Sequence, residues 1–285
     1  MRILENFDLT EYNAYKIKAI CKKAFFPEKE EDLVKIYNET SNINKIIIGN
    51  GNNILMSKKY YESYFIIFNG NFEKYKIKGN LIEAEAGSTL QILSDKALEN
   101  NLKGLEMFYD IPSSVGGAIV MNAGADGEEI KDLLVKARYL DLSDMTIKEI
   151  SKEEIGFEYR NSFFQKHTNN IVLKGWFLLE EGNREEIKNK METIKQNRWK
   201  KQPREYPNCG SVFKRPPGRF VGPMLDELGL KGFAIGGAMI SEKHSGFIVN
   251  KGNATGEDIL NLISEVQKRV KAKFNVDLEV EQRII

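Results

Sequence analysis

Cysteine is nearly absent: Cys21 and Cys209 are the only two in 285 residues, far apart and outside any Cys-x-x-Cys pair, and histidine also numbers two. A disulfide framework and a structural zinc site are thereby excluded as organising devices, and no metal is expected. An excess of either charge is missing too. Lys and Arg total 42 against 41 Asp and Glu, and a formal charge of +1 exerts no general pull on nucleic acid or membrane. Any anion site must therefore be local. No window approaches the roughly eighteen apolar residues of a spanning helix, and Met1 to Asp8 lacks the apolar run of a signal peptide. A cytoplasmic chain is expected, with neither membrane nor nucleic acid as partner. What is present is an ordinary globular composition, 41% hydrophobic and 29% charged, enough for one large core or two to three smaller ones.

The pattern along the chain is mixed α and β. Glu28 to Asn38 reads as a helix, Lys45 to Ile48 and Ile54 to Met56 as strands on either side of a Gly/Asn loop, and Tyr64 to Phe68 and Leu81 to Ala86 as further strands. Ser88 is placed to cap a helix carrying Leu90, Leu93 and Ala97. Strand-like Leu133 to Leu140, a capping box at Ser151 and Glu154, and the apolar run Ile171 to Leu179 follow. Asn183 caps a helix with Ile187, Met191 and Ile194, and the main boundary falls where that helix stops, before Pro203. Beyond a loop-rich stretch from Pro203 to Pro223, short strands are expected around Ala238 to Ile240 and Gly246 to Val249. Thr255 and Asp258 open a helix with the stripe Ile259, Leu262, Ile263, Val266 and Val270. A final strand alternates Val276, Leu278 and Val280 against Asp277, Glu279, Glu281 and Arg283, which points Glu281 away from the apolar face.

Two glycine-rich loops stand out. The first is Gly49-Asn50-Gly51-Asn52-Asn53, built from residues that tolerate positive φ. The second is Ile111 to Ala125, Ile-Pro-Ser-Ser-Val-Gly-Gly-Ala-Ile-Val-Met-Asn-Ala-Gly-Ala. Pro112 suits a turn or helix start, Ser113 or Ser114 can cap that start, and Gly116 and Gly117 let a phosphate or another backbone come close. Taken alone the stretch is equally a tight packing turn. Neither loop is a Gly-x-Gly-x-x-Gly opening a long helix, so a Rossmann fingerprint is absent. As a pair, the two loops can hold a diphosphate from both sides through backbone N–H groups.

Three further residues bear on chemistry. Arg160 lies among aromatics in Phe157-Glu158-Tyr159-Arg160-Asn161-Ser162-Phe163, suited either to a carboxylate ligand or to a structural ion pair. Ser211, in Asn208-Cys209-Gly210-Ser211-Val212-Phe213-Lys214-Arg215-Pro216, is a turn residue or a proton donor. Glu281 is a solvated carboxylate or a site residue. Lys200, Lys201, Lys214 and Arg215 gather cations around the Ser211 loop, while His244 either touches a ligand or supports its own loop.

In this order the motifs resemble the UDP-N-acetylenolpyruvoylglucosamine reductase (MurB) family, flavoenzymes of peptidoglycan precursor synthesis, in its shorter type II form. The resemblance is carried by Ile48 to Leu55, Pro112 to Ala125, Tyr159-Arg160-Asn161-Ser162, Gly210-Ser211-Val212-Phe213-Lys214, Gly236 through His244 to Asn250, and Leu278 to Ile285, and so spans nearly the whole chain. It implies an α+β architecture: a vanillyl-alcohol-oxidase-like (PCMH-type) FAD-binding fold of two subdomains, 1–70 and 71–182, and a C-terminal α+β substrate domain, 183–285. It implies FAD as cofactor and NADPH as co-substrate. The partner is UDP-N-acetylglucosamine enolpyruvate, the product UDP-N-acetylmuramate, and the enzyme a monomer serving cell-wall biogenesis.

By the same resemblance Arg160, Ser211 and Glu281 are catalytic. Gly49, Asn50, Gly51, Asn52, Asn53, Pro112, Ser113, Ser114, Gly116, Gly117, Asn122 and Gly124 hold the cofactor, and Lys201, Lys214, Arg215 and His244 the substrate. Arg160 binds the substrate carboxylate and Ser211 delivers a proton to the α-carbon, with Lys214 or a water to stabilise the alkoxide. Glu281 has to be protonated or hydrogen-bonded to assist, because an ionised carboxylate repels the intermediate. Two departures concern the flavin site. Tyr15-Lys16-Ile17-Lys18-Ala19 lacks the family's Gly-Gly pair, and Asp110-Ile111-Pro112-Ser113 replaces Gly-Ile-Pro-Gly. They keep two rivals in view: another flavin-dependent oxidase or dehydrogenase of the same fold, and a flavin-free nucleotide-sugar-binding protein.

Overall fold

A computed structural model describes all residues from Met1 to Ile285. The chain forms two compact units. The first comprises Met1–Ile3, Ala24–Asn50 and Phe65–Arg198; the second comprises Leu4–Lys23, Gly51–Tyr64 and Trp199–Ile285. The strands Arg2–Asp8, Ile20–Phe26 and Tyr60–Ile67 carry the chain from one unit to the other. The helix Arg184–Lys201 lies in the first unit up to Arg198, and two N-terminal segments belong with the C-terminal part of the chain. No helix is long and apolar enough to cross a membrane.

The first unit is organised by an antiparallel five-stranded sheet in the order Thr146–Ser151, Leu134–Asp141, Asn170–Leu178, Leu81–Glu85, Tyr75–Lys78. Its central strand buries Ile171, Val172 and Leu173 in succession and then alternates, with Gly175 and Phe177 buried and Lys174 and Trp176 half-buried. Helices α1 (Glu30–Glu39), α2 (Leu90–Glu99) and α3 (Val115–Met121) belong to this unit. The cap of α2 is Thr89, whose hydroxyl accepts the Ile92 N–H at 3.1 Å, not the expected Ser88. Ser88 is one residue too early, and its carbonyl instead accepts the Val115 N–H at 2.8 Å, tying α2's approach to the start of α3. The capping box at Ser151 and Glu154 forms with both bonds, and Asn183 Oδ1 accepts the Glu185 N–H at 2.9 Å.

The second unit carries a four-stranded antiparallel sheet in the order Asn208–Ser211, Phe247–Asn250, Ala238–Ile240, Ala234–Ile235. The helix Gly256–Phe274 buries Ile259, Leu262, Ile263, Val266 and Val270, the stripe expected of it, and starts on the Thr255/Asp258 capping box. The stretch expected to be loop contains the strand Asn208–Ser211 and the helix Val221–Glu227. The expected last strand is not regular. Only Arg283–Ile284 forms a strand, parallel to Ile54–Leu55, and Val280 makes a single bridge to Phe213. The inward register still runs on to Gln282, two residues beyond Val280, which is 4% exposed and sets a polar side chain at a position of the apolar face.

Candidate active site

In the first unit the start of the first glycine-rich loop, Gly49 and Asn50, meets the second loop. A Cβ on Gly49 would overlap Ser114 Oγ, so glycine is what allows the first loop to lie against the start of α3. Next to it, Asn50 carries a buried Oδ1 with no hydrogen-bond partner in the protein. A buried unpartnered acceptor calls for a donor from a ligand or water. It suits a hydroxyl or ring N–H of a ligand; a phosphate oxygen, itself an acceptor, is the wrong complement. Ser114 caps α3, accepting the Gly117 N–H at 3.2 Å.

The amides at the start of α3 are otherwise spent on the protein. Val115 N–H donates to Ser88 O and Gly116 N–H to Ala86 O, both at 2.8 Å. A Cβ on Gly116 would lie 2.9 Å from Ala86 Cβ. Gly116 is therefore a packing glycine, and of the two readings left open for this turn the packing one describes it. Pro112 is exposed, Ser113 donates its hydroxyl to Ser114 O at 3.1 Å, and the Ser113 carbonyl accepts the Leu90 N–H at 2.9 Å. Asp110 is held by an ion pair to Arg198 Nε at 3.3 Å, both side chains largely buried. The acidic residue that replaces the family's glycine thus has its own partner.

At the other end of α3 the same segment turns to Arg160. Asn122 caps the helix in the left-handed region, φ 44°. Arg160 Nη1 donates to Asn122 O at 3.1 Å and Nη2 to Gly124 O at 2.6 Å, with Glu129 Oε1 3.7 Å from Nη1. Arg160 itself sits at φ 52°, its guanidinium 5.0 Å from the centre of the Tyr159 ring. Asn122 and Gly124, both expected at the cofactor, are engaged within the protein. The Asn122 side chain is fully buried, donating to Glu129 Oε2 and Glu158 O, each at 3.0 Å, and accepting the Lys131 N–H at 3.2 Å. Gly124 is required by a hairpin, where it pairs with Glu129 and has no room for a Cβ beside Glu128 O.

In the second unit Ser211 and Glu281 lie on adjacent segments. The Glu281 N–H donates to Val212 O at 2.8 Å, the Lys214 N–H to Glu279 O at 2.9 Å, and Phe213 bridges Val280. Ser211 is exposed and Glu281 half-buried. Beneath them is a residue that sequence reasoning missed, Gln282. Its Oε1 accepts the Tyr15 hydroxyl at 3.0 Å, and its Nε2 donates to Cys209 O at 3.2 Å and reaches Ser211 O at 3.5 Å. The signal available was an amide two residues beyond Val280, at a position that the strand alternation turns into the core. From the first loop, Asn53 Nδ2 donates to Glu281 O at 3.2 Å, the Asn53 carbonyl accepts the Arg283 N–H at 3.0 Å, and Gly51, at φ 67°, lies against the Tyr12 carbonyl. Asn52, the remaining loop residue, is half-buried.

Among the cations, Lys214 is taken by Glu279, 2.6 Å from Nζ to Oε1, and is thus already engaged rather than poised beside Ser211. The Arg215 guanidinium lies 4.6 Å from the centre of the Phe220 ring, and Lys201 is exposed at its helix end. His244 Nδ1 accepts the Gly246 N–H at 3.1 Å, and burial pushes its pKa below the ordinary histidine value. Cys209 is fully buried, its thiol pushed up to about 12 by loss of solvation, so it is no nucleophile.

Comparison with known proteins covers the whole chain. Residues 202–285 match the family described as UDP-N-acetylenolpyruvoylglucosamine reductase, C-terminal domain, and residues 22–151 match an FAD binding domain. The chain is 43% identical over 282 residues to the UDP-N-acetylenolpyruvoylglucosamine reductase of Caldanaerobacter subterraneus subsp. tengcongensis, which covers 98% of this chain and 92% of that protein. It is 41% identical to the protein of the same name from Francisella tularensis subsp. tularensis, covering 99% of both. The fold is similar to the crystal structure of UDP-N-acetylenolpyruvylglucosamine reductase (MurB) from Thermus caldophilus, with TM-score 0.83, 32% identity, and 99% and 98% of the two chains covered.

Proposed function

This chain belongs to the UDP-N-acetylenolpyruvoylglucosamine reductase family, and from that membership we propose that it reduces UDP-N-acetylglucosamine enolpyruvate to UDP-N-acetylmuramate, with FAD as cofactor and NADPH as reductant. The residues present fit the cofactor: Gly49 admits close approach of its loop to Ser114, and Asn50 Oδ1 is an acceptor awaiting a donor. Gly49, Asn50 and Ser114 would hold FAD in the first unit. Bound FAD supplies a two-electron hydride relay between NADPH and the enolpyruvyl methylene carbon.

The chain's own residues handle the charge and the proton. Hydride addition to the methylene carbon breaks the C=C π bond and pushes its electron pair toward the neighbouring carboxylate, giving an aci-carboxylate. Arg160, charged at every accessible pH, binds that carboxylate in the ground state and more tightly as negative charge builds. Ser211 donates its hydroxyl proton to the α-carbon, which completes addition of one hydride and one proton across the double bond. Glu281 assists in its protonated or hydrogen-bonded form. The pairing of the Ser211 and Glu281 segments through the bond from Glu281 N–H to Val212 O supports this reading, because it brings together in one unit the segments that carry the hydroxyl and the carboxyl group.

Lys201 and Arg215 supply cations for the substrate diphosphate, Lys214 joining only if Glu279 releases it. His244 supports its loop. The same reading makes the enzyme a cytoplasmic monomer. Replacing Ser211 with alanine tests it: flavin reduction by NADPH stays near the unsubstituted rate, while reoxidation by the enolpyruvyl nucleotide slows at least a hundred-fold, on the order of what a lost proton donor costs. Stopped-flow traces with unchanged reoxidation and normal product formation would remove Ser211 from the mechanism.

A further inference from the structure

Arg160 has to present its guanidinium to a carboxylate in a fixed direction, yet its own backbone is a left-handed turn residue and its neighbour Tyr159 is exposed. Fixed aim must come from elsewhere. Three groups that grip the guanidinium lie between residues 122 and 129: the carbonyls of Asn122 and Gly124 accept from Nη1 and Nη2, and the Glu129 carboxylate stands 3.7 Å from Nη1. Glu129 is in turn fixed by Asn122 Nδ2 at 3.0 Å on its other oxygen. Asn122 therefore holds Arg160 twice, directly by its carbonyl and indirectly by orienting Glu129.

We infer that Asn122 and Glu129 are a positioning pair for Arg160, a role that rests on the reaction proposed above. Asn122 does not touch the cofactor, since its buried amide is already occupied by Glu129, Glu158 and Lys131. A carboxylate beside Arg160 would by itself weaken the pull on an anionic substrate. Lys131 removes that objection: its Nζ lies 2.6 Å from Glu129 Oε2, so two cations face one carboxylate and the cluster stays net positive. Glu129 thus aims the guanidinium while Lys131 offsets its charge. The arrangement is also anchored locally, as Glu129 opens the turn Ile130–Asp132 and exchanges capping hydrogen bonds with Asp132.

The test uses the FAD-loaded full chain carrying Glu129→Gln or Asn122→Asp, with each half-reaction followed separately by flavin absorbance. Glu129→Gln removes the charge but keeps a side-chain oxygen for Asn122; Asn122→Asp keeps the shape but removes both N–H donors. Glu129 is on a partly exposed hairpin, so its variant keeps the test open if the buried Asn122→Asp protein fails to fold. Both variants are expected to bind FAD and to be reduced by NADPH within twofold of the unsubstituted protein. Their reoxidation by UDP-N-acetylglucosamine enolpyruvate is expected to slow about ten- to a hundred-fold, the scale set by small misplacement of a positioned group. Unchanged reoxidation in Glu129→Gln overturns the positioning role. So does equal slowing of both half-reactions, or loss of FAD, which a merely structural role would produce. Failure of the unsubstituted reduced enzyme to be reoxidised by the nucleotide would instead sink the proposed reaction, and the positioning role with it.

Discussion

Gln282 offers a quantitative test of how the Ser211 and Glu281 segments are held together. It is 4% exposed and Tyr15, its partner, is fully buried. Replacing Gln282 with leucine removes the acceptor of the Tyr15 hydroxyl and the donor to Cys209 O, stranding two groups with no access to water. At about 1–3 kcal/mol for each stranded polar group, Gln282→Leu should destabilise the fold by roughly 2–6 kcal/mol. Tyr15→Phe removes one hydrogen bond and leaves only the Gln282 oxygen unpaired, a loss of about 1–2 kcal/mol. The double variant no longer contains the stranded hydroxyl. It should therefore cost less than the sum of the two single changes by about 1–2 kcal/mol. Burial pushes the Tyr15 phenol far above its ordinary range, so it remains a hydroxyl donor through neutral and mildly alkaline pH and the coupling should not vary there. Urea unfolding of the four proteins measures the cycle. Additivity within about 0.5 kcal/mol would refute the hydrogen bond as the link between these segments.

Other consequences are nearer the flavin and the thiols. Gly49→Ala forces a Cβ into Ser114 Oγ, so the loop and the start of α3 must part. Overpacking of this kind costs about 1–3 kcal/mol, and if the strain falls on the bound state FAD affinity drops roughly ten-fold or more in a fluorescence titration of apoprotein. Retention of FAD at unsubstituted affinity would contradict the placement of the cofactor at this contact. Both cysteines are buried, and burial pushes Cys21 up to about 11 and Cys209 up to about 12. Neither should be alkylated by iodoacetamide in the native protein at mildly alkaline pH, and both should react in denaturant. Mass spectrometry of the two samples decides it.

What could be read in the sequence was set by distance along the chain. The caps at Ser114, the Ser151/Glu154 box, Asn183 and the Thr255/Asp258 box all form, because each joins a side chain to backbone within three residues. The stripe from Ile259 to Val270 is equally local, a matter of helical period. The shift from Ser88 to Thr89 as a cap is the scale of error such reasoning makes when adjacent residues can both accept. The arrangement around Arg160 lies beyond that reach: its anchors are 38 and 36 residues earlier, and they meet it only once the hairpin after α3 has formed. Gln282 was missed for the same reason, since Tyr15 is 267 residues away.

The stretch from Ile111 to Ala125 shows what this means for a motif. As a string it invites one role, a cradle of backbone donors around a diphosphate. Folded, its first turn gives the Val115 and Gly116 amides to Ser88 and Ala86, and its last residues turn two carbonyls onto Arg160. The contact of Ser114 with Gly49 keeps it at the first glycine-rich loop. Glycine and asparagine recur in the motif because a seven-residue helix must be packed at one end and capped in the left-handed region at the other. A substitution at Gly116 should therefore act through the packing of α3, and one at Asn122 through the aim of Arg160. On the proposed reaction the Asn122 end bears on reoxidation of the flavin by the nucleotide, and separate measurement of flavin reduction and reoxidation tests it.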